Sequence, residues 1–438
     1  MNADYRRILM TLSRQPLKGM RELYPPQKRV EDFVVGGIRR AGLSYGFEEY
    51  EAPVLEPLEL FLAKSGTELA REQSYNFVDK GDRELILRPE LTPSLARMIA
   101  AGGELVFPVK WMSFPDCFRY EKPQRGRVRE FLQFNLDILG SQDPAAELEV
   151  FLVLQRIMRT FRVPENLYRI RYSSRALAAA ALRGAGLPEK EASRAFSMID
   201  RRDRMPGGNW ESWVLESLPG QSGRSVIEYS RCEGLDSPWL VSSAGGTPAL
   251  EELRVFSAML HSAGVGAATF DPAVVRGLDY YTGIVFEVSD TGGENRRAIC
   301  GGGRYDDLVG LFGGQRVSGV GFGLGILTMQ LFLETYGLIP KEVARSHPAG
   351  VYLAAFSEEQ RGFVLKLAEG LRDAGVRVET DLSGKGLKKQ FSLAEKRGIG
   401  RIVVIGPEEV ATGKLTVRCG AGGESYETDL ASLAGTLV

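Results

Sequence analysis

The chain has 438 residues, with 55 Lys/Arg against 56 Asp/Glu and a formal net charge of −1. It is no polycation, so a nucleic-acid partner would have to be held by local basic patches. Hydrophobic residues are 44% and charged residues 25%, the balance of an ordinary globular protein with a real core, which excludes a disordered tail protein and a disulfide-stapled miniprotein.

The N-terminal stretch MNADYRRILMTLSRQPLKGM lacks an apolar region of signal-peptide length. From Pro26 to about Gly42, Val30, Phe33, Val34, Ile38 and Ala41 recur at helical spacing. A turn at Ser44–Gly46 leads to an expected strand over Phe47–Val54. Further strands are expected at Glu84–Arg88 and Val106–Phe114, around a helix Thr92–Ala101 with Thr92 as its cap and Pro93 in its first turn. Residues 166–269 read as a mainly helical insertion, rich in Ala, Gly, Ser and Pro. Strand chemistry resumes at Ala273–Val288 and runs to Gly301–Gly303, followed by a helix from about Leu324 to Tyr336. Residues 337–350 look like a linker. Beyond it, apolar runs at Val351–Phe356, Val376–Leu382, Arg401–Ile405 and Leu415–Arg418 alternate with helical patterns at Glu358–Ala374 and Leu387–Arg397. That alternation predicts a small α/β domain with βαβ crossovers. No stretch reaches the roughly 18 apolar residues of a membrane span. Cys117, Cys232, Cys300 and Cys419 form no C-x-x-C pair, and only His261 and His347 could join them. Four reduced thiols in a soluble cytoplasmic protein, without structural zinc, are expected.

Four segments could carry chemistry. In FRYEKPQRGRVREFLQFNLDILG (118–140), Leu132, Phe134, Leu136 and Ile138 alternate with Gln133, Asn135 and Asp137. Before them Arg119, Lys122, Arg125, Arg127 and Arg129 cluster around Pro123 and Gly126. An antiparallel hairpin with a polar floor and a cationic loop suits a phosphate-bearing substrate, since guanidinium groups give bidentate donors to phosphate oxygens. A solvated strand face with a basic surface loop fits the same pattern. In VRGLDYYTGIVFEV (275–288), Arg276 precedes Gly277, and Asp279, Tyr280, Tyr281 and Thr282 are compressed between it and Gly283. That spacing fits either a bulged edge strand or a ligand's close approach. CGGGRYDD (300–307) permits close backbone approach but matches neither a P-loop nor a dinucleotide fingerprint. GVGFGLG (319–325) places small residues at a strand-to-helix junction, which suits tight packing or an anion at the helix N-terminus.

Together and in this order, these segments resemble the class II aminoacyl-tRNA synthetases, specifically the histidyl-tRNA synthetase family. FRYEKPQRGRVREFLQF resembles that family's motif 2, and RGLDYYTGIVFE with AICGGGRYDDLVG its two histidine signatures. LRPELTPSLAR resembles the amino-acid-binding stretch, and helix Pro26–Gly42 with YEAPVLEPLELF the dimer-forming motif 1. The resemblance implies an α+β catalytic domain, an antiparallel sheet flanked by helices, over 1–165 and 270–336. It further implies the insertion over 166–269 and an α/β anticodon-binding domain over 351–438. Histidine, ATP, Mg²⁺ and tRNA(His) are the implied ligands, in a homodimer. Arg119 and Arg276 would contact the α-phosphate, Glu121 the adenine, and Arg127 the β/γ-phosphates. Glu90, Thr92, Gln133, Asp137, Arg276, Tyr280 and Tyr281 would form the histidine pocket. Gln124 and Arg125 would reach the tRNA acceptor end, and Lys388 and Lys389 the anticodon. Histidine's carboxylate would attack the α-phosphorus in line, without a protein nucleophile and with no metal held by protein side chains. Motif 3 departs from the pattern, with Leu327 and Thr328 where Glu and Arg are expected. Arg127, Arg125, Arg316 or extra Mg²⁺ would then neutralise the phosphates. A histidine-sensing paralogue, like the regulatory subunit of ATP phosphoribosyltransferase, and a bare tRNA-binding module are the competing readings.

Overall fold

A computed structural model describes residues 13–62, 68–205, 209–275, 280–295, 297–313, 316–345, 347–420 and 424–437. The strands are, in chain order, β1 (Glu48–Glu49), β2 (Leu55–Pro57), β3 (Tyr75–Val78), β4 (Glu84–Leu87), β5 (Val109–Ser113), β6 (Asp116–Phe118) and β7 (Glu130–Leu139). They continue with β8 (Tyr168–Ser174), β9 (Ala268–Phe270), β10 (Ile284–Asp290), β11 (Cys300–Tyr305) and β12 (Gly319–Gly325). The last are β13 (Val351–Ala355), β14 (Val378–Thr380), β15 (Arg401–Ile405), β16 (Lys414–Cys419) and β17 (Ser425–Asp429). Two compact units result, one holding Val30–Ile339 and the other Pro340–Val438 with Pro25–Arg29.

The first unit is built on a large sheet ordered β1-β5-β7-β12-β11-β10-β8-β9, with β6 paired to β7. Its central pairings are antiparallel, and only β1·β5 and β8·β9 run parallel. Alternation explains why this sheet has a core face. Phe134, Leu136 and Ile138 of β7, and Val320, Phe322 and Leu324 of β12, point one way and are buried. Helix Ala145–Thr160 lays Val150, Phe151, Leu154 and Ile157 over that face. Phe151 reaches Phe286 at a centroid distance of 4.8 Å, and Phe134 reaches Phe322 at 5.6 Å. Each such fully buried side chain contributes about 1.5–3 kcal/mol by leaving water. Helix Pro25–Leu43 adds Val34, Ile38 and Ala41 to the same core. The apolar face expected to support a dimer is thus occupied within the chain.

Several expectations shift. The strand foreseen at Phe47–Val54 shortens to β1, because Ala52 and Pro53 carry carbonyls toward the buried Arg88 guanidinium instead of a ladder partner. The helix Thr92–Ala101 forms as foreseen, but Thr92 is its first residue, not its cap, and the cap position, Leu91, offers no side-chain hydrogen bond. The Thr92 hydroxyl turns to Tyr280 instead. Within 166–269, helices fill Arg175–Ser262, while β8 and β9 at its ends pair with each other in the large sheet. The stretch 337–350 holds a short helix, Lys341–Arg345.

The second unit is a sheet ordered β14-β13-β15-β16-β17. Its first three strands are parallel, joined through helices Glu358–Asp373 and Leu387–Arg397, and the last two are antiparallel. Strand β17 and the short helices Pro407–Thr412 and Leu433–Leu437 were not foreseen.

Candidate functional site

The other face of the large sheet carries an unusual floor. Gly319, Gly321, Gly323 and Gly325 of β12 alternate with its core residues, and in register beside them β11 presents Gly301 and Gly303. Strand interiors built of glycine lose packing and gain backbone entropy in the unfolded chain, so such a row marks a place where something else must approach. Two β7 side chains do so. A Cβ at Gly321 would stand 2.0 Å from Asp137 Oδ1, and one at Gly323 would stand 1.9 Å from Gln133 Nε2. These glycines therefore let Asp137 and Gln133 lie across the neighbouring strand. The result is a trough with a backbone floor and polar walls.

This face is not a solvated one. Asp137 is 2% exposed and Asn135 4%. Tyr305 donates to Asp137 Oδ1 at 2.7 Å, while Oδ2 has no hydrogen-bond partner. The Tyr50 hydroxyl and Asn135 Oδ1 are likewise buried and unpartnered. Buried polar atoms are seldom left so, because each orphan costs about 1–3 kcal/mol. Orphans around one trough mark the hydrogen bonds that a polar ligand would complete. Burial pushes the Asp137 carboxyl up to about 7 despite the bond from Tyr305. Burial, then the Asp137 charge, raise Tyr50 well above the ordinary phenol range. The site thus pays desolvation in advance for a carboxylate, which a cationic or N–H-bearing ligand would offset.

A second wall comes from Glu90 and the tyrosines. Tyr280 donates to Glu90 Oε2 at 3.0 Å and packs at a tilt against Tyr281 with ring centroids 4.9 Å apart, and Glu90 is 4% exposed. Tyr281 closes over Gly303, whose Cβ would meet its ring at 3.0 Å. Beneath them Arg304 of β11 forms a bidentate pair with Glu147 and donates to the Ser141 carbonyl at 2.8 Å. Thr282 donates to Asp306 at 2.6 Å, which tethers the tyrosine segment to the same network.

The cationic end lies on the β6–β7 hairpin. Arg119 anchors its Nε on the Pro89 carbonyl at 2.9 Å and stacks its guanidinium on Phe131 at 5.3 Å. Its terminal nitrogens make no hydrogen bond among the described residues and are left for oxygen atoms of a ligand. Gln124 and Arg127 bridge across a tight turn whose Gly126 adopts φ +73°, a conformation that favours glycine. Arg127 pairs with Glu121 across this turn, and Arg125 stands exposed at its tip. Arg129 is spent on structure, donating to the carbonyls of Glu121 and Lys18. Arg316 is paired with Asp307 at the surface.

The structure thus gathers Gln133, Asp137, Tyr281 and Tyr280–Glu90–Thr92 around the glycine floor, and Arg119, Glu121 and Arg127 on the hairpin. Arg276 lies outside the described residues. Tyr50 and Tyr305 escaped the sequence reading. Tyr305 carried a signal, since it continues the alternation of Gly301 and Gly303 on the trough face. Tyr50 carried none, because the bond from its amide to the Met112 carbonyl, 2.9 Å, is what sets it beside β5.

In the second unit, Lys388 and Lys389 are exposed on helix Leu387–Arg397, while Gln390 and Ala394 face inward. Beside them a cavity of about 140 Å³ is lined by Phe356, Ser357, Arg361, Asp381, Lys385 and Gln390. Among the described residues no helix is long and apolar enough to cross a membrane.

A family model for histidyl-tRNA synthetase matches residues 19–329, and one for an anticodon-binding domain matches residues 350–438. The chain is 34% identical over 421 residues to the histidine–tRNA ligase of Leptospira biflexa serovar Patoc, covering 93% of each chain. It is 36% identical over 412 residues to the histidine–tRNA ligase of Opitutus terrae, covering 92% of this chain and 93% of that one. The crystal structure of histidyl-tRNA synthetase from Nostoc sp. PCC 7120 superposes with a TM-score of 0.82 at 26% identity, over 98% of this chain and 99% of the other.

Proposed function

Because the chain belongs to the histidyl-tRNA synthetase family, we propose that the glycine-floored trough is its histidine pocket and the arginine hairpin beside it the ATP end. The activity is an aminoacyl-tRNA synthetase's: ATP-dependent activation of histidine, then transfer to tRNA. The observation that carries the pocket is the set of buried, unpartnered acceptors and hydroxyls around Asp137 Oδ2 and Tyr50. Histidine brings what they lack, a ring N–H and an ammonium. Asp137 and Tyr50 take the imidazole, Gln133 and Glu90 the ammonium, and the tyrosine pair Tyr280–Tyr281 shuts out water.

The carboxylate of bound histidine then attacks the α-phosphorus in line and pyrophosphate leaves. Arg119, with Arg276, stabilises the charge that builds on the α-phosphate oxygens, and Glu121 and Arg127 hold the nucleotide. The chain's part is positioning and electrostatics, since no side-chain nucleophile is required. Among the described residues no group of three carboxylate, His or Cys side chains could hold a metal ion. The family resemblance implies that ATP enters as its Mg²⁺ complex. We assign 1–165 and 270–336 to the catalytic domain, 166–269 to an insertion and 351–438 to tRNA anticodon binding, in a cytoplasmic homodimer. Exposed Leu43, Val54 and Leu55 support a dimer surface near motif 1.

The deciding experiment is histidine-dependent exchange of pyrophosphate into ATP by the full chain. Exchange only when histidine is present is the expected result. Histidine binding without exchange would point to the histidine-sensing alternative instead. For the second unit, Lys388→Glu with Lys389→Glu is expected to weaken tRNA binding and to lower the slope of log affinity against log salt by about 1–2, since each lost phosphate contact releases one fewer counterion. Filter binding at several salt concentrations measures this, and an unchanged slope would remove the helix from the interface.

A further inference from the structure

Thr328 leaves the nucleotide end one guanidinium short of the family pattern, and its hydroxyl is turned back onto the Gly325 carbonyl at 2.8 Å, so it offers a ligand no donor. Arg316 is held by Asp307 and Arg129 by two carbonyls, so neither is free to substitute. Arg297, just before β11, is placed differently. From the point where a Cβ on Gly126 would stand, Arg297 Cδ is 3.6 Å away and Thr328 Cγ2 3.7 Å. The arginine therefore reaches the side of the hairpin turn, next to Thr328 and Leu331.

The electrostatics there are unbalanced. Arg297 makes no ion pair among the described residues. Burial and the charge of Arg127 both work against its protonated form, while Glu121 favours it. That carboxylate is already paired with Arg127. One carboxylate, paired with Arg127, thus stands against two guanidiniums in a half-buried recess. A multiply charged anion completes the balance, with the phosphate oxygens taking both guanidiniums as bidentate donors.

We infer that Arg297 grips the terminal phosphates of ATP, in place of the arginine missing at position 328. This rests on the assignment of the hairpin as the ATP end. It adds a binding residue from a segment outside the motif 2 and motif 3 stretches. It also replaces the expectation that Arg125, Arg127, Arg316 or additional Mg²⁺ alone make up the deficit.

The test compares ATP with AMP by calorimetry on the full chain, because AMP lacks the phosphates in question. Arg297→Ala is expected to weaken ATP binding about tenfold or more and to leave AMP binding unchanged. Arg297→Lys should fall between, and adding Thr328→Arg to the alanine variant should recover most of the loss. ATP binding equal to that of the native chain, or an equal loss for AMP, would overturn the proposal while leaving the ATP site itself intact. A native chain that binds neither nucleotide would instead overturn the assignment of the ATP end, and this inference with it.

Discussion

Asp137→Asn is expected to weaken histidine about 10- to 150-fold while leaving ATP affinity nearly unchanged, since hydrogen bonds to a charged group contribute roughly 1.5–3 kcal/mol. Asparagine is isosteric and can still accept from Tyr305, so the trough keeps its shape but loses the charge and the acceptor at Oδ2. The native carboxyl titrates at about 7 because burial disfavours its ionised form. Histidine affinity should therefore fall as the Asp137 carboxyl is neutralised below about pH 7, an effect separate from the ligand's own titration. The ratio of native to variant affinity isolates Asp137, because the ligand titrates identically in both. A flat ratio between pH 5.5 and 8.5 would remove Asp137 from the pocket.

The same substitution should stabilise the unliganded protein. The folded carboxyl is raised above the unfolded value of about 3.9, so its stability contribution is complete below about pH 4 and lost as pH rises through about 7. At pH 8 the asparagine variant should be more stable than the native chain by about 1–3 kcal/mol, a gap that closes on acidification toward pH 4. Thermal melts across that range measure it. A variant that loses ligand and gains stability would show that the carboxylate is kept for binding at a cost to the fold.

The largest stability loss is expected at Glu147. It is 1% exposed and accepts from Nε and Nη2 of an Arg304 guanidinium that is itself 5% exposed. Glu147→Ala strands a buried cation, which costs about 3–5 kcal/mol. For a unit of this size that lowers Tm by roughly 5–8 °C. The paired replacement Glu147→Leu with Arg304→Met should recover most of the loss, since two apolar side chains need no desolvation. If the single and paired variants melt alike, the ion pair is not what the site rests on. Because Arg304 also supports the segment that carries Tyr281 and Thr282, the single variant should lose histidine affinity as well.

Much of this was legible in local pattern. The two-residue alternation of Leu132–Ile138 placed Gln133 and Asp137 on one face before any coordinates, since β geometry leaves no other option. The class II catalytic domain, with an anticodon-binding domain after it, followed from motif order. What stayed hidden depends on partners distant in sequence. Nothing local to Thr92 reveals that its hydroxyl meets Tyr280 rather than capping its own helix. Nothing near Ala52 reveals that a buried guanidinium will take its carbonyl. Whether GVGFGLG meant tight packing or a ligand surface was undecidable until Asp137 and Gln133 were seen to lie across its glycines.

That floor also limits how the enzyme can change. β12 is paired on both sides, so its face offers a ligand no hydrogen-bonding group, and any side chain at Gly321 or Gly323 would collide with Asp137 or Gln133. On the proposed reading of the trough as the histidine pocket, a new amino-acid preference would have to come from the walls, at Gln133, Asp137, Tyr50 or Tyr281. In a saturation library selected for activity, Gly321 and Gly323 should read as absolute glycines.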